Sequence, residues 1–163
     1  MKKALPSLLL VVALVGFAYW QNKPRPANDA DLFVGKPGPA FEVAEWISEP
    51  PQREGKYLLI DFWATWCGPC IRAIPHMNEL HATYQDRLTV VGVSRESRQK
   101  VESMKSPRME YYSAIDPQDR MADFFQIRSI PQVALMDPNG IVLYKGHPAY
   151  LTEEKLEELL SAN

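Results

Sequence analysis

The sequence predicts one α/β domain, a central mixed sheet flanked by helices, with an apolar membrane-type segment in front of it. Three observations carry this. Tyr57-Leu58-Leu59-Ile60 and Leu88–Val93 are apolar runs without polar alternation, as expected of strands covered on both faces. Between them, Ile71, Ile74, Met77, Leu80 and Tyr84 recur at helical spacing. The strand–helix alternation then continues to a terminal hairpin and helix, the signature of a layered α/β sheet.

Taken in order, Phe41–Ala44 reads as a short strand and Glu49-Pro50-Pro51-Gln52 as a loop. Lys56–Trp63 is the first strong strand, Gly68–Gln85 the long helix and Leu88–Val93 the second buried strand. Ser97–Lys105 reads as helix and Tyr111–Ile115 as strand. Asp116-Pro117-Gln118-Asp119 reads as a helix start, with Asp116 as N-cap and Pro117 at the first helical position, followed by Met121, Phe124 and Phe125. Gln132–Met136, the turn Asp137-Pro138-Asn139-Gly140 and Ile141–Tyr144 form the hairpin. Thr152 caps the closing helix, where Glu153 and Glu154 suit the helix dipole and Leu156, Leu159 and Leu160 form the buried stripe.

Composition excludes several classes. With 46% hydrophobic and 23% charged residues, the 163-residue chain has material for one core and an appendage. A net charge of −2 with scattered Lys and Arg gives no case for nucleic-acid binding. The N-terminus differs in kind: Lys2 and Lys3 precede the apolar run Ala4–Trp20. As a helix it spans roughly 25 Å, close to a bilayer's hydrocarbon core and longer than the usual signal-peptide core. Residues 1–20 are therefore expected to anchor the chain, with a cleaved secretory signal at Gly16-Phe17-Ala18 as the alternative. Residues 21–30, with Pro24 and Pro26, read as a tether, and 31–163 as the folded domain. Both readings place the domain on the extracytoplasmic side, periplasmic or outer.

Trp66-Cys67-Gly68-Pro69-Cys70 holds the only two cysteines, at the junction between the first strong strand and the long helix. A pair at this spacing closes and reopens a small disulfide. Half of a zinc site is the other use, but zinc wants two further ligands and no second Cys pair exists. At the helix N-terminus, unpaired N–H groups and the dipole stabilise a thiolate, which makes Cys67 the nucleophile and Cys70 the resolving thiol. Gly68-Pro69 adds no cationic side chain, so a reducing rather than strongly oxidising couple is expected. Asp61 interrupts the apolar strand, where a buried carboxylate is costly unless paired or neutralised.

Asp61 through Cys70, Asp-Phe-Trp-Ala-Thr-Trp-Cys-Gly-Pro-Cys, closely resembles the active-site segment of thioredoxins. Pro75 stands where thioredoxins kink their active-site helix, and Ile130-Pro131 precedes an apolar strand as that fold's cis-proline does. The resemblance covers about residues 56 to 162. The lead-in Asp31–Phe41, and the extra segment between Ser94 and Pro131, resemble the TlpA/ResA-like thioredoxins. The resemblance implies a thioredoxin-like fold and a protein disulfide oxidoreductase with no cofactor beyond the Cys67–Cys70 disulfide and no metal. It implies that Asp61 accepts the proton of the resolving cysteine. Trp66, Ile130 and Pro131 then contact the substrate, with Trp66 shielding the Cys67 sulfur and Trp63 packing. There are two departures: Gly92 stands where a lysine is common near the aspartate, and Ala73 where TlpA/ResA-like proteins often carry a glutamate.

The expected partners are protein disulfides, such as those of apocytochrome c or copper-site proteins, and a membrane thiol-transfer electron donor. The domain is expected to act as a monomer. A copper- or zinc-binding module, a thiol oxidase or isomerase, and a peroxiredoxin-type peroxidase stand as alternatives. His76 and His81 are expected at the surface of the long helix. His147, in the loop after Gly146, is open to two placements: a solvated loop, which is favoured, or the cysteine face.

Overall fold

The computed structural model describes residues 32–161. The apolar run Ala4–Trp20, the tether at residues 21–30, and the first residue and last two residues of the expected domain lie outside the described residues. Among the described residues, no helix is long and apolar enough to cross a membrane.

The continuous apolar runs form the centre of a six-stranded sheet. Strand β1 is Glu45–Trp46, β2 Tyr57–Phe62, β3 Leu88–Ser94, β4 Tyr112–Ile115, β5 Gln132–Met136 and β6 Val142–Gly146. The order is β1-β4-β3-β2-β5-β6. β2 pairs parallel with β3, and β3 parallel with β4, while the β2–β5, β5–β6 and β1–β4 pairs are antiparallel. The sheet is therefore mixed, and its parallel centre explains why β2 and β3 are buried along their whole length. Helix α1 is Gly68–Tyr84, α2 Arg98–Ser103, α3 Arg120–Phe124 and α4 Glu153–Ser161.

Side chains on a strand alternate between faces, and β2 divides the core accordingly. Tyr57 and Leu59 pack with Ile74, Met77 and Leu80 of α1 and with Leu156 and Leu160 of α4. Leu58, Ile60 and Phe62 pack on the other face with Met121, Phe125 and Phe33. By the same alternation, Asp61 belongs to the face that α1 covers. The lead-in protects the β6 edge: Gly35 N–H donates to Val142 O at 2.8 Å, and Val142 N–H to Lys36 O at 2.9 Å.

The sequence expectations hold for most elements, with three corrections. The short strand is Glu45–Trp46 rather than Phe41–Ala44. Phe41 and Val43 bury their side chains against the core, and the ladder to β4 begins only at Glu45, opposite Ile115. Asp116 is not the N-cap of α3. A turn at 116–119 intervenes, and the helix starts at Arg120 behind Asp119, whose φ is 55°. Asp116 still serves that helix end, accepting from Met121 N–H at 3.2 Å and from Arg120 Nε at 3.0 Å. The buried stripe of α1 is Cys70, Ile74, Met77, Leu80 and Tyr84, so Cys70 heads it and Ile71 is only half-buried. In α4, Thr152 Oγ1 accepts from Lys155 N–H at 3.2 Å, as a cap should.

Candidate active site

β2 ends at Phe62, and the chain turns through Ala64–Trp66 into α1, so the cysteines stand beyond the C-terminal end of a central strand, on the first turn of a helix. Cys67 is the N-cap: its backbone is extended, at φ −86° and ψ 93°, and its C=O accepts from Ile71 N–H at 3.0 Å. Pro69 occupies the first turn, where its missing N–H costs nothing. Cys67 and Cys70 are disulfide-bonded, and Cys70 N–H donates to Cys67 Sγ at 3.2 Å. The helix N-terminus thus directs an N–H at the Cys67 sulfur, the arrangement that stabilises a thiolate there.

Both cysteines are buried among Trp63, Ala64, Val101 and Ile115, with Ile130 packed against the same cluster. Trp63 belongs to this buried cluster, while Trp66, next to Cys67 in the chain, is 66% exposed and presents a free aromatic face. Trp66, Ile130 and Arg128 line one cleft of about 210 Å³ next to the disulfide. The Ile130–Pro131 peptide is cis, with Pro131 buried and Ile130 half-buried.

Asp61 is 2% exposed and accepts a hydrogen bond from Tyr111 Oη at 2.7 Å. Burial pushes its carboxyl up to about 6, and the Tyr111 hydrogen bond only partly offsets that. Burial, then the neighbouring Asp61 charge, pushes the Tyr111 phenol well above its usual range, so Tyr111 is the donor. The sequence reading missed Tyr111, because partner and carboxylate lie fifty residues apart. Its signal was Gly92, which faces Asp61 across the β2–β3 pair and leaves the space that the Tyr111 ring enters.

A second missed residue is Glu96, just after β3. It accepts from Thr65 N–H at 2.6 Å and from Thr65 Oγ1 at 2.9 Å. Thr65 lies two residues before Cys67, so this bidentate pair ties the cysteine loop to the end of β3. The expectation of surface histidines on α1 is corrected. His76 is half-buried with Nε2 3.0 Å from Leu151 O, and His81 is half-buried with its ring 5.3 Å from that of Tyr112. Burial, then the charge of Lys56, lowers the His81 pKa. His147, half-buried in the loop after β6, lines a groove with Pro69. Among the described residues, no group of three His, Cys, Asp or Glu side chains is disposed to hold a metal ion.

The AhpC/TSA family profile matches residues 34–145, more than half of the chain. The chain is 29% identical to the thioredoxin-like protein YneN of Bacillus subtilis, over 98% of either chain. It is also 29% identical to the thiol-disulfide oxidoreductase ResA of Oceanobacillus iheyensis, over 82% of this chain and 73% of that one. Among solved structures, a Chlorobium tepidum protein assigned as thiol:disulfide interchange protein DsbE superposes with a TM-score of 0.59 at 28% identity. It covers 66% of this chain and 82% of that one.

Proposed function

The chain belongs to the AhpC/TSA family, and from that premise we propose how its one cysteine pair carries out thioredoxin-like thiol–disulfide oxidoreduction: as a reductant of protein disulfides. The observation that carries this reading is the Cys67–Cys70 disulfide on the first turn of α1, with Cys67 as N-cap.

In the reduced protein the Cys67 thiolate attacks a substrate disulfide. A Cys67–substrate bond forms, the substrate's S–S bond breaks, and the departing sulfur leaves as a thiolate that takes a proton from water. Cys70 then gives its proton to the Asp61 carboxylate while its sulfur attacks Cys67 Sγ. The internal disulfide closes and the second substrate thiol departs, so two electrons have passed from the dithiol to the substrate. Asp61 suits this role because it lies on the face that α1 covers and burial pushes its carboxyl up to about 6, which makes it a better proton acceptor than an ordinary carboxylate. Trp66 and Ile130 offer an aromatic face and a strand edge before Pro131, against which a substrate peptide can pair.

We place residues 1–20 as the anchor, 21–30 as the tether and 31–163 as the domain, on the extracytoplasmic side. Lys2, Lys3 and the apolar run Ala4–Trp20 support this placement. A reductant there needs a membrane dithiol donor to keep the pair reduced, and the cysteines of apocytochromes or copper sites are fitting substrates. The domain acts as a monomer, with the disulfide as its only redox group. A fusion to a reporter active only outside the cytoplasm will be active and sediment with membranes. A soluble product beginning at Tyr19 would instead identify a cleaved signal.

The test of direction is the equilibrium potential of the pair against a dithiol buffer. A reductant will lie at about −270 mV, and a value of about −120 mV would make the protein an oxidant.

A further inference from the structure

A second groove, of about 450 Å³, reaches Pro69 and is lined besides by Arg72, Ala73, His76, His147, Ala149 and Thr152. Pro69 sits between the two cysteines in sequence. A protein whose disulfide reaches Cys67 therefore lies over Gly68-Pro69 and faces this groove. What the groove offers it is one-sided. Arg72 folds back toward the helix start, its Nη1 3.5 Å from where a Cβ on Gly68 would stand, and it makes no hydrogen bond or ion pair among the described residues. The dipole makes a cation at this end of a helix unfavourable, so Arg72 is not there for helix stability.

The neighbouring polar groups are also donors. His147 Nδ1 accepts from Ala149 N–H at 3.1 Å, which fixes the imidazole proton on Nε2. Thr152 Oγ1 accepts from Lys155 N–H, which leaves its own O–H to donate. His76 is already engaged, with Nε2–H donated to Leu151 O. Tyr150, 75% exposed with its ring 5.7 Å from that of His147, adds an aromatic platform. Arginine and tyrosine are both residue types that interface hot spots enrich. Donors without an acceptor partner call for a carboxylate.

We propose that this groove is a docking subsite for the disulfide-bearing protein substrate, which places an aspartate or glutamate near its reactive cysteine against Arg72 and His147. The proposal rests on the exchange reaction above: Gly68-Pro69 itself adds no cation, and the one that reaches this helix start belongs to Arg72, one turn further on. Arg72 is then a specificity residue, selecting among partners that Cys67 attacks by the same chemistry.

The test uses the reduced protein and two short peptides bearing the same intramolecular disulfide, with aspartate or lysine beside the attacked cysteine. Both are attacked by one sulfur, so any general effect on Cys67 cancels in the ratio of their rates. At low ionic strength the wild type will prefer the aspartate peptide by about two- to five-fold, as an exposed ion pair warrants. That preference will fall toward unity in high salt. Arg72→Glu will reverse it, and Arg72→Gln will abolish it. A ratio that is the same in wild type and Arg72→Glu overturns the subsite and leaves the exchange reaction standing. If the wild type reduces neither peptide, the exchange reading and the subsite fall together.

Discussion

Gly92 and Tyr111 share one volume. A Cβ at position 92 would lie 3.1 Å from Tyr111 Cε2 and 3.0 Å from Trp63 Nε1, so the ring stands in the space that a side chain on β3 would take. Its hydroxyl thereby reaches Asp61 on the neighbouring strand. Where the resemblance leads one to expect a lysine near the aspartate, this chain has a glycine and a neutral phenol. Tyr111→Phe removes a hydrogen bond to the ionised carboxylate, so the Asp61 carboxyl rises further above about 6. The pH profile for closing the Cys67–Cys70 disulfide, followed by stopped flow, will move to higher pH. An unmoved profile would make the contact purely structural.

Asp61→Asn will slow that closure and stabilise the fold, and the stabilisation will depend on pH. The Asp61 carboxyl has its pKa raised from 3.8 to about 6 on folding, so between those values the folded state binds more protons than the unfolded one. Stability therefore falls as pH rises through this window. Above it, the wild type carries a penalty of about 3 kcal/mol from the buried charge. Denaturant unfolding with the disulfide intact will show the variant more stable at pH 8, with the gain shrinking toward pH 4. A large loss of stability at both pH values, with unchanged exchange kinetics, would give Asp61 a structural role.

Glu96 holds Thr65 by both its backbone N–H and its hydroxyl. Glu96→Ala frees the loop before Cys67 and leaves the Thr65 N–H to water. A stability loss of about 1–3 kcal/mol is expected, together with slower attack by Cys67. Glu96→Gln, which can still accept once, will fall between. Equal effects of the two substitutions would count against the bidentate tie.

Cys67 will react before Cys70 in the reduced protein. It stands at the helix N-terminus, whereas Cys70 heads the buried stripe of α1. Alkylation at mildly acidic pH, mapped by peptide, will label Cys67 first, and preferential labelling of Cys70 would reverse the two roles.

Most of this fold was legible because the signals were local. The apolar runs of β2 and β3, the 3.6-residue period of α1 and the Asp-Pro-Asn-Gly turn each specify their own backbone. What escaped depended on distant partners. The β1 pairing is set by β4, some seventy residues on, so its place could not be read from Phe41–Ala44 alone. The turn before α3 hid behind an Asp-Pro pair that reads equally well as a cap. In the site, the cysteines were legible from spacing. Tyr111, Glu96 and the backward fold of Arg72 were not, since each is defined by a contact rather than by a pattern.

The central claim is that Cys67 attacks protein disulfides and Cys70 releases them, and the most direct measurement is trapping with Cys70→Ser. Attack by Cys67 then leaves a mixed disulfide without an internal thiol to resolve it. The full-length variant, isolated after acid quenching, will carry proteins attached to Cys67 that dithiothreitol releases, while Cys67→Ser will carry none. The identity of those proteins will show whether electrons pass to them or come from them. If Cys70→Ser yields no reducible adducts while the reduced wild type binds copper or zinc tightly, the oxidoreductase account is contradicted and a metal carrier takes its place.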